Sequence, residues 1–200
     1  MTDAAASSGR RTLAGRSGET VDRLLEAGLE VLREHGYEQL SMREVCRRAG
    51  LTHATAYGYF SAKQHLVSEI YWRRVQKWCE TPVVSGTQQE RLAAVFAELA
   101  ELAATEPELS VAASAAVLSR DPDVARVRTL IGAAMNARVR LAAGPGCSED
   151  VLDALGIAVS GAMVQAGMGY STYQDMALRL TRVARLLLPT DFPERARFDR

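Results

Sequence analysis

Hydrophobic residues recur along this chain at helical spacing, and no segment shows the strict alternation of a strand. Over 19–35, Val21, Leu24, Leu25, Gly28, Leu29 and Leu32 share one face, while Asp22, Arg23, Glu26, Glu30 and Arg33 face away; Gly36 then stops the helix. A short helix over 42–49 opens on Ser41 and Glu44, spaced as a capping box, with Leu40 and Val45 at the staple positions, and ends at Gly50. Thr52 starts another short helix that runs to about Phe60. Ser61 and Gln64 repeat the box spacing before a longer helix that reaches about Trp78. A break at Thr81-Pro82-Val83-Val84-Ser85-Gly86 follows, and then helices are predicted over 87–105, 107–119, 122–143, 149–169 and 173–188. The pattern is all-α, with about nine helices.

Two short helices joined by a glycine-containing turn make a helix-turn-helix. The expected organisation is an arm over 1–17 carrying Arg10, Arg11 and Arg16, a helix-turn-helix domain over 18–65, a larger helical bundle over 66–189 and a polar tail over 190–200. The whole-chain charge is zero, yet residues 1–78 hold 12 basic and 9 acidic side chains and the remainder 12 and 15. A cationic front and an anionic back suit a nucleic-acid partner at the front alone. At 48% hydrophobic and 24% charged, the composition excludes a mostly disordered or collagenous chain.

Three cysteines, far apart and odd in number, give no disulfide framework, and Met1–Gly18 has no apolar core of a signal peptide; a cytoplasmic location is expected. The stretch between Asp153 and Asp175 is uncharged and long enough to cross a bilayer, but its glycines, Gln165 and unbiased flanks predict a buried helix and no membrane partner. His53, His35, His65 and Cys46 form no pair at metal-ligand spacing, so neither metal nor cofactor is expected.

Three helix starts, at Ser41, Thr52 and Ser61, fall within about twenty residues, and each offers unpaired N–H groups to a phosphate. Thr55, Tyr57, Tyr59 and Lys63 can add hydroxyl and ammonium contacts, which set position without reading sequence. Base reading falls to the exposed start of the second short helix, Thr52, His53 and Ala54, with Arg43 as a candidate for a guanine edge. Plainer readings stand beside these: Tyr59 and Phe60 as core, Arg47 and Arg48 as a solvated face.

The run from Leu40 to Leu66, LSMREVCRRAGLTHATAYGYFSAKQHL, closely resembles the DNA-binding domain of TetR-family transcriptional regulators. The shared features are a capped second helix, Ala-Gly-apolar, Thr-x-Tyr-x-Tyr-Phe and Lys-x-x-Leu, and the nine-helix layout matches over the rest of the chain. The resemblance implies that Tyr57 and Lys63 grip phosphate and that His53 and Arg43 touch bases of a double-stranded operator. Ala56 and Gly58 depart from the family pattern, which has larger side chains at both positions and leaves this reading helix thinly packed.

In the resembled family the larger half supplies a small-molecule pocket and a dimer interface. Over 122–143, Arg138 falls inside the apolar face of Val124, Val127, Leu130, Ile131, Ala134, Met135, Val139 and Ala142, where a guanidinium needs a partner: the anionic group of a ligand, an internal acid, or solvent reached by snorkelling. Trp78, Met135, Met163 and Met168 are the other candidate pocket residues, each with core filling as the alternative. The helix over 149–169 is apolar nearly all round and is expected to be covered on both sides. Gly156, Ser160, Gly161 and Gly167 would let a second copy approach, and Met176, Leu180, Val183 and Leu187 make one face of the last helix, so a homodimer is expected through these two helices. Glu106-Pro107-Glu108-Leu109 with Asp121-Pro122-Asp123-Val124-Ala125 resembles a subgroup of the family linked to sterol or fatty-acid catabolism, which implies a lipid-like or acyl-CoA effector. The competing classes are a regulator with no effector, a small helical enzyme and a protein-interaction module. The chain carries no nucleophile elbow, P-loop, zinc-protease motif or paired-carboxylate cluster, so it is not expected to be an enzyme.

Overall fold

The computed structural model of the protein describes residues 16–188, with side chains from Gly18 onward. Among these residues the structure is all-α, without strands: α1 (Arg16–Gln39), α2 (Met42–Ala49), α3 (His53–Tyr57), α4 (Lys63–Cys79), α5 (Gln88–Thr105), α6 (Pro107–Ala116), α7 (Pro122–Ala143), α8 (Glu149–Gly167) and α9 (Tyr173–Leu187). Arg10 and Arg11 of the expected arm and the expected tail over 190–200 lie outside the described residues.

Most boundaries follow from local chemistry. α2 and α7 start and end where the sequence predicts. The expected stop at Gly36 is a break inside α1, where φ is 72° and ψ 174°. Gly50, at φ 63°, takes the left-handed conformation that ends α2, and its N–H donates back to Arg47 O. α3 is shorter than expected: the amides of Tyr59 and Phe60 both donate to Ala56 O, at 3.0 and 2.9 Å, closing a turn that folds the two rings inward.

The caps are half as predicted. Ser41 Oγ accepts from the Glu44 amide (3.3 Å) and Thr52 Oγ1 from the Thr55 amide (3.2 Å). The Glu44 carboxylate does not complete a capping box but accepts from Arg47. At Ser61 the amide donates to His65 Nδ1 (3.2 Å), so the imidazole takes the place expected of Gln64.

Contacts divide the chain into two compact units: the described residues up to Lys77 with Glu106–Ala133, and Trp78–Thr105 with the described residues from Ala134 on. The division falls inside α4 and α7, and α6 goes with the helix-turn-helix. It therefore does not follow the boundary at 65/66 expected from the sequence.

In the first unit, Leu24, Leu32, Leu40, Phe60, Leu66 and Leu109 are fully buried or nearly so. Each such side chain contributes about 1.5–3 kcal/mol. At Gly28 a Cβ would lie 2.8 Å from Leu66 Cδ2, so α1 and α4 are in close contact there and a larger residue requires the Leu66 side chain to shift. Glu106 at the start of α6 accepts from Arg33 of α1 and Arg74 of α4, both at 2.5 Å. Beneath α3, Phe60 meets the His65 ring edge-on, and Glu69 accepts from Arg126 (2.9 Å).

In the second unit, α9 packs chiefly on α5 and also on α8. Its core includes Leu92, Phe96, Leu99, Leu155, Met176 and Leu180. Gln88 and Arg91 of α5 donate to the last carbonyls of α7, Ala143 O (2.6 Å) and Ala142 O (2.8 Å). α8 is not covered on both sides within the protomer. Leu152, Leu155, Val159 and Ala166 face in, while Ile157, Val164 and Met168 are exposed. Among the described residues no helix is long and apolar enough to cross a membrane.

Candidate nucleic-acid interface

The face formed by α2 and α3 is built by what those helices bury. α2 turns Met42, Val45, Cys46 and Ala49 inward, which leaves Arg43 and Arg47 outward. α3 buries only Ala56. Its remaining positions, Thr52 at the cap, then His53, Ala54 and Tyr57, are exposed, with Thr55 half-buried. Ser41, Arg43, Glu44, Arg47, Thr52 and His53 line one open groove between the two helices, with Cys46 and Leu51 also on its walls.

The side chains there are pre-set. Thr52 and Thr55 share a hydroxyl–hydroxyl bond of 2.9 Å. His53 stacks on Tyr57 one turn later, centroids 6.2 Å apart. Arg43 has no ion-pair partner among the described residues. Arg47 donates through Nε and Nη2 to the two Glu44 oxygens (2.8 and 2.5 Å), and this fork holds the Glu44 carboxyl below its usual pKa. Arg48, its neighbour, forks onto Glu34 of α1 at 2.7 and 2.6 Å and also lies 3.6 Å from Glu44.

Two expected DNA contacts sit differently. Tyr59 is buried, 6% exposed, because the turn after α3 folds it into the core. Lys63 donates to Tyr37 O (2.9 Å) and Glu38 O (3.2 Å), with its ammonium 4.6 Å from the Tyr37 ring centre. Its charge caps the carbonyl end of α1, which a cation favours. Glu44, expected as a capping-box residue, and Arg47, expected on a solvated face, also line the groove; their i, i+3 spacing was the available signal of the pairing.

The candidate pocket and interface residues of the second unit also resolve. Arg138 is 4% exposed and internally paired: Nη1 donates to Thr81 O (2.6 Å), Nη2 to the Glu98 carboxylate, and the guanidinium stacks on Trp78. Trp78 Nε1 donates to the same Glu98 oxygen (2.9 Å), so Trp78 is part of the core rather than a pocket cap. The anchor role for an anionic ligand group is thereby replaced by Glu98, forty residues earlier on α5 and linked to Arg138 by no local spacing. Met135 and Met163 are half-buried, whereas Met168 is exposed and lines no internal wall.

Met176 and Leu180 are buried inside the protomer against α5 and cannot meet a partner; Val183 and Leu187 are half-buried beside them. The outward row of α9 is instead Leu178, Arg182 and Leu186. On α8, Ser160 and Gly161 lie on the exposed row with Ile157, Val164 and Met168, while Gly156 and Gly167 are half-buried at its border.

Residues 24–70 match the family of bacterial regulatory proteins called tetR. An uncharacterised HTH-type transcriptional regulator of Mycobacterium tuberculosis is 39% identical over 175 residues, which cover 86% of this chain and 82% of that protein. The HTH-type transcriptional repressor KstR of Mycolicibacterium smegmatis is 27% identical over 179 residues, 84% of this chain and 87% of that one. A TetR regulator from Rhodococcus sp. RHA1 has the same fold, with a TM-score of 0.70 at 22% identity over 89% of this chain and 100% of that one. So has FadR from Bacillus subtilis, solved in complex with stearoyl-CoA, with a TM-score of 0.57 at 16% identity over 83% of this chain and 96% of that one. With a helix-turn-helix face of this kind and relatives that span most of its length, the chain belongs to the TetR family of DNA-binding transcriptional regulators.

Proposed function

We propose that the protein is a homodimeric repressor that binds a palindromic operator and is released from it by a small apolar or amphipathic effector. The observation that carries the reading is the groove in which Ser41, Arg43, Thr52 and His53 meet. It combines the exposed start of a reading helix with an unpaired guanidinium, the pairing of groups that sets position and reads base edges. In this reading Arg43 and His53 touch bases, Thr52, Ala54 and Thr55 line the approach, and Ser41 and Tyr57 hold phosphate. Lys63 keeps one N–H for phosphate while its other two hold the end of α1.

Dimerisation is assigned to the exposed rows of α8 and α9, namely Ile157, Ser160, Gly161, Val164 and Met168 with Leu178 and Leu186. Two copies paired there make a four-helix bundle with two-fold symmetry, and a palindromic site follows from that symmetry. A lipid-like effector is supported by the stearoyl-CoA bound to the FadR of similar fold. Release requires that the effector bind the DNA-incompetent state more tightly, and by reciprocity DNA then weakens effector binding by the same factor.

Selection of bound duplexes from a random pool tests the reading. A palindrome should emerge, bound with salt-dependent affinity. Recovery of no preferred duplex would overturn it. Stearoyl-CoA is the first effector probe: binding that leaves operator affinity unchanged would remove the release mechanism for that class.

A further inference from the structure

α2 presents two arginines one turn apart, and the structure treats them oppositely. Arg43 has no ion-pair partner among the described residues, whereas Arg47 is forked onto Glu44 at 2.8 and 2.5 Å. This fork is not a staple of the fold. Arg48 binds acids of α1, ties two helices together and lies 3.6 Å from Glu44, but the Arg47–Glu44 fork itself joins two residues of one helix, three apart, with the Arg47 side chain 69% exposed. An exposed pair of this kind adds little to stability. It lies, however, in the same groove as Arg43, Thr52 and His53.

A carboxylate in a groove that receives DNA repels phosphate unless a cation covers it. A guanidinium has five N–H donors, and Glu44 takes two of Arg47's, so three stay available in a fixed orientation. In a helix-turn-helix the first helix of the pair crosses the phosphate backbone. We propose that Arg47 is a further specificity-determining residue, a phosphate contact made only in the operator-bound register, with Glu44 as the positioning residue that withholds it from other DNA. In a loose encounter Arg47 stays on Glu44, and the pair contributes no net attraction. In the operator complex a phosphate comes within reach of the free donors and Arg47 bridges it to Glu44. The inference rests on the DNA-binding reading above and adds to it a source of discrimination that contacts no base.

The test compares a duplex recovered by selection with a random-sequence duplex of equal length, over a salt series. Arg47→Gln bares Glu44 before either duplex, so its effect is read as a difference: the salt slope should fall by about one more on the selected duplex than on the random one. Glu44→Gln should free Arg47 in every register. Random-duplex affinity should then rise several-fold, and the selected-to-random ratio should fall by about the same factor. Arg47→Lys, which keeps the charge and loses the fork, should keep the slope but lower that ratio. A slope change in Arg47→Gln that is the same on both duplexes, or an unchanged ratio in Glu44→Gln, would overturn the proposal. If Arg47→Gln does not fold, Glu44→Gln decides alone. A wild type that enriches no duplex would sink the DNA-binding reading and this inference with it, whereas a wild type that binds its palindrome, with Arg47→Gln changing both slopes alike, sinks only this inference.

Discussion

α3 and α9 are held in place by opposite means. α3 has five residues and buries only Ala56, so the Thr52 cap, the turn that closes on Ala56 and the rings of Tyr59 and Phe60 beyond it fix its position. α9 has 15 residues and buries Tyr173, Met176, Leu180 and Ala184 against its neighbours, yet keeps Leu178 and Leu186 at 61% and 86% exposure on its other side. A helix fixed from its ends leaves its side chains free to read something else. A helix fixed by one apolar face spends that face, and only what remains can meet a partner. On the proposed dimer, the residues of α9 that meet the partner are therefore not its most hydrophobic row.

The largest test of that contrast is on α9. Met176→Ala should cost about 2–5 kcal/mol, read as a lowered urea midpoint. Leu178→Asp should change the stability of the protomer by no more than about 0.5 kcal/mol and should weaken self-association, read by sedimentation. Gly161→Trp should act the same way, because a Cβ at Gly161 meets nothing within 4 Å in the protomer. A Leu178→Asp or Gly161→Trp protein that stays dimeric would move the interface elsewhere.

Next comes the buried ion pair. Glu98→Ala leaves Arg138 buried with only a carbonyl and a ring, at a cost of about 3 kcal/mol. Arg138→Met should cost less, because Glu98 is 27% exposed and can take water. Equal losses would mean that packing, not charge, dominates the site.

At the reading end the effects are smaller. Thr52→Ala should cost about 1 kcal/mol and loosen α3 first, read as faster amide exchange at Thr55. Lys63→Met should cost less than about 1 kcal/mol of stability and should lower the salt slope by about one if its ammonium transfers to DNA; an unchanged slope would leave it a cap for α1 alone.

The smallest effect is a pH dependence. Burial pushes the Glu69 carboxyl up, but the His65 ring 3.7 Å away and the Arg126 charge outweigh burial and its pKa ends lowered. Its contribution is therefore full above the unfolded carboxylate range, about 4.3, and is lost as pH falls through the lower folded value. The thermal midpoints of wild type and Glu69→Gln should converge in acid and separate above about pH 4.5.

What could be read in advance followed the same division. Caps, glycine stops and helical periodicity are local, so the bounds of α2 and α7 were legible to the residue, whereas α3 ends three residues before the expected Phe60. The Glu98 partner of Arg138 and the choice of which row of α9 is buried depend on residues tens of positions away. Periodicity identifies an apolar row without saying what covers it, which is why Met176 and Leu180 looked available. Lys63 had a phosphate role by resemblance, but its bond to the end of α1 needs that end to be brought within 3 Å.

The grouping of Glu106–Ala133 with the helix-turn-helix has a practical consequence for anyone who would transplant this reading head. A fragment that stops at Lys77 would lack Glu106, the shared acceptor of Arg33 and Arg74, and would uncover the surface of α1 on which α6 packs. Swapping operator specificity between relatives is then not a matter of exchanging one N-terminal stretch. The exchange must carry two separated stretches of chain together, or be confined to the outward side chains of α2 and α3, which the rest of the unit does not depend on.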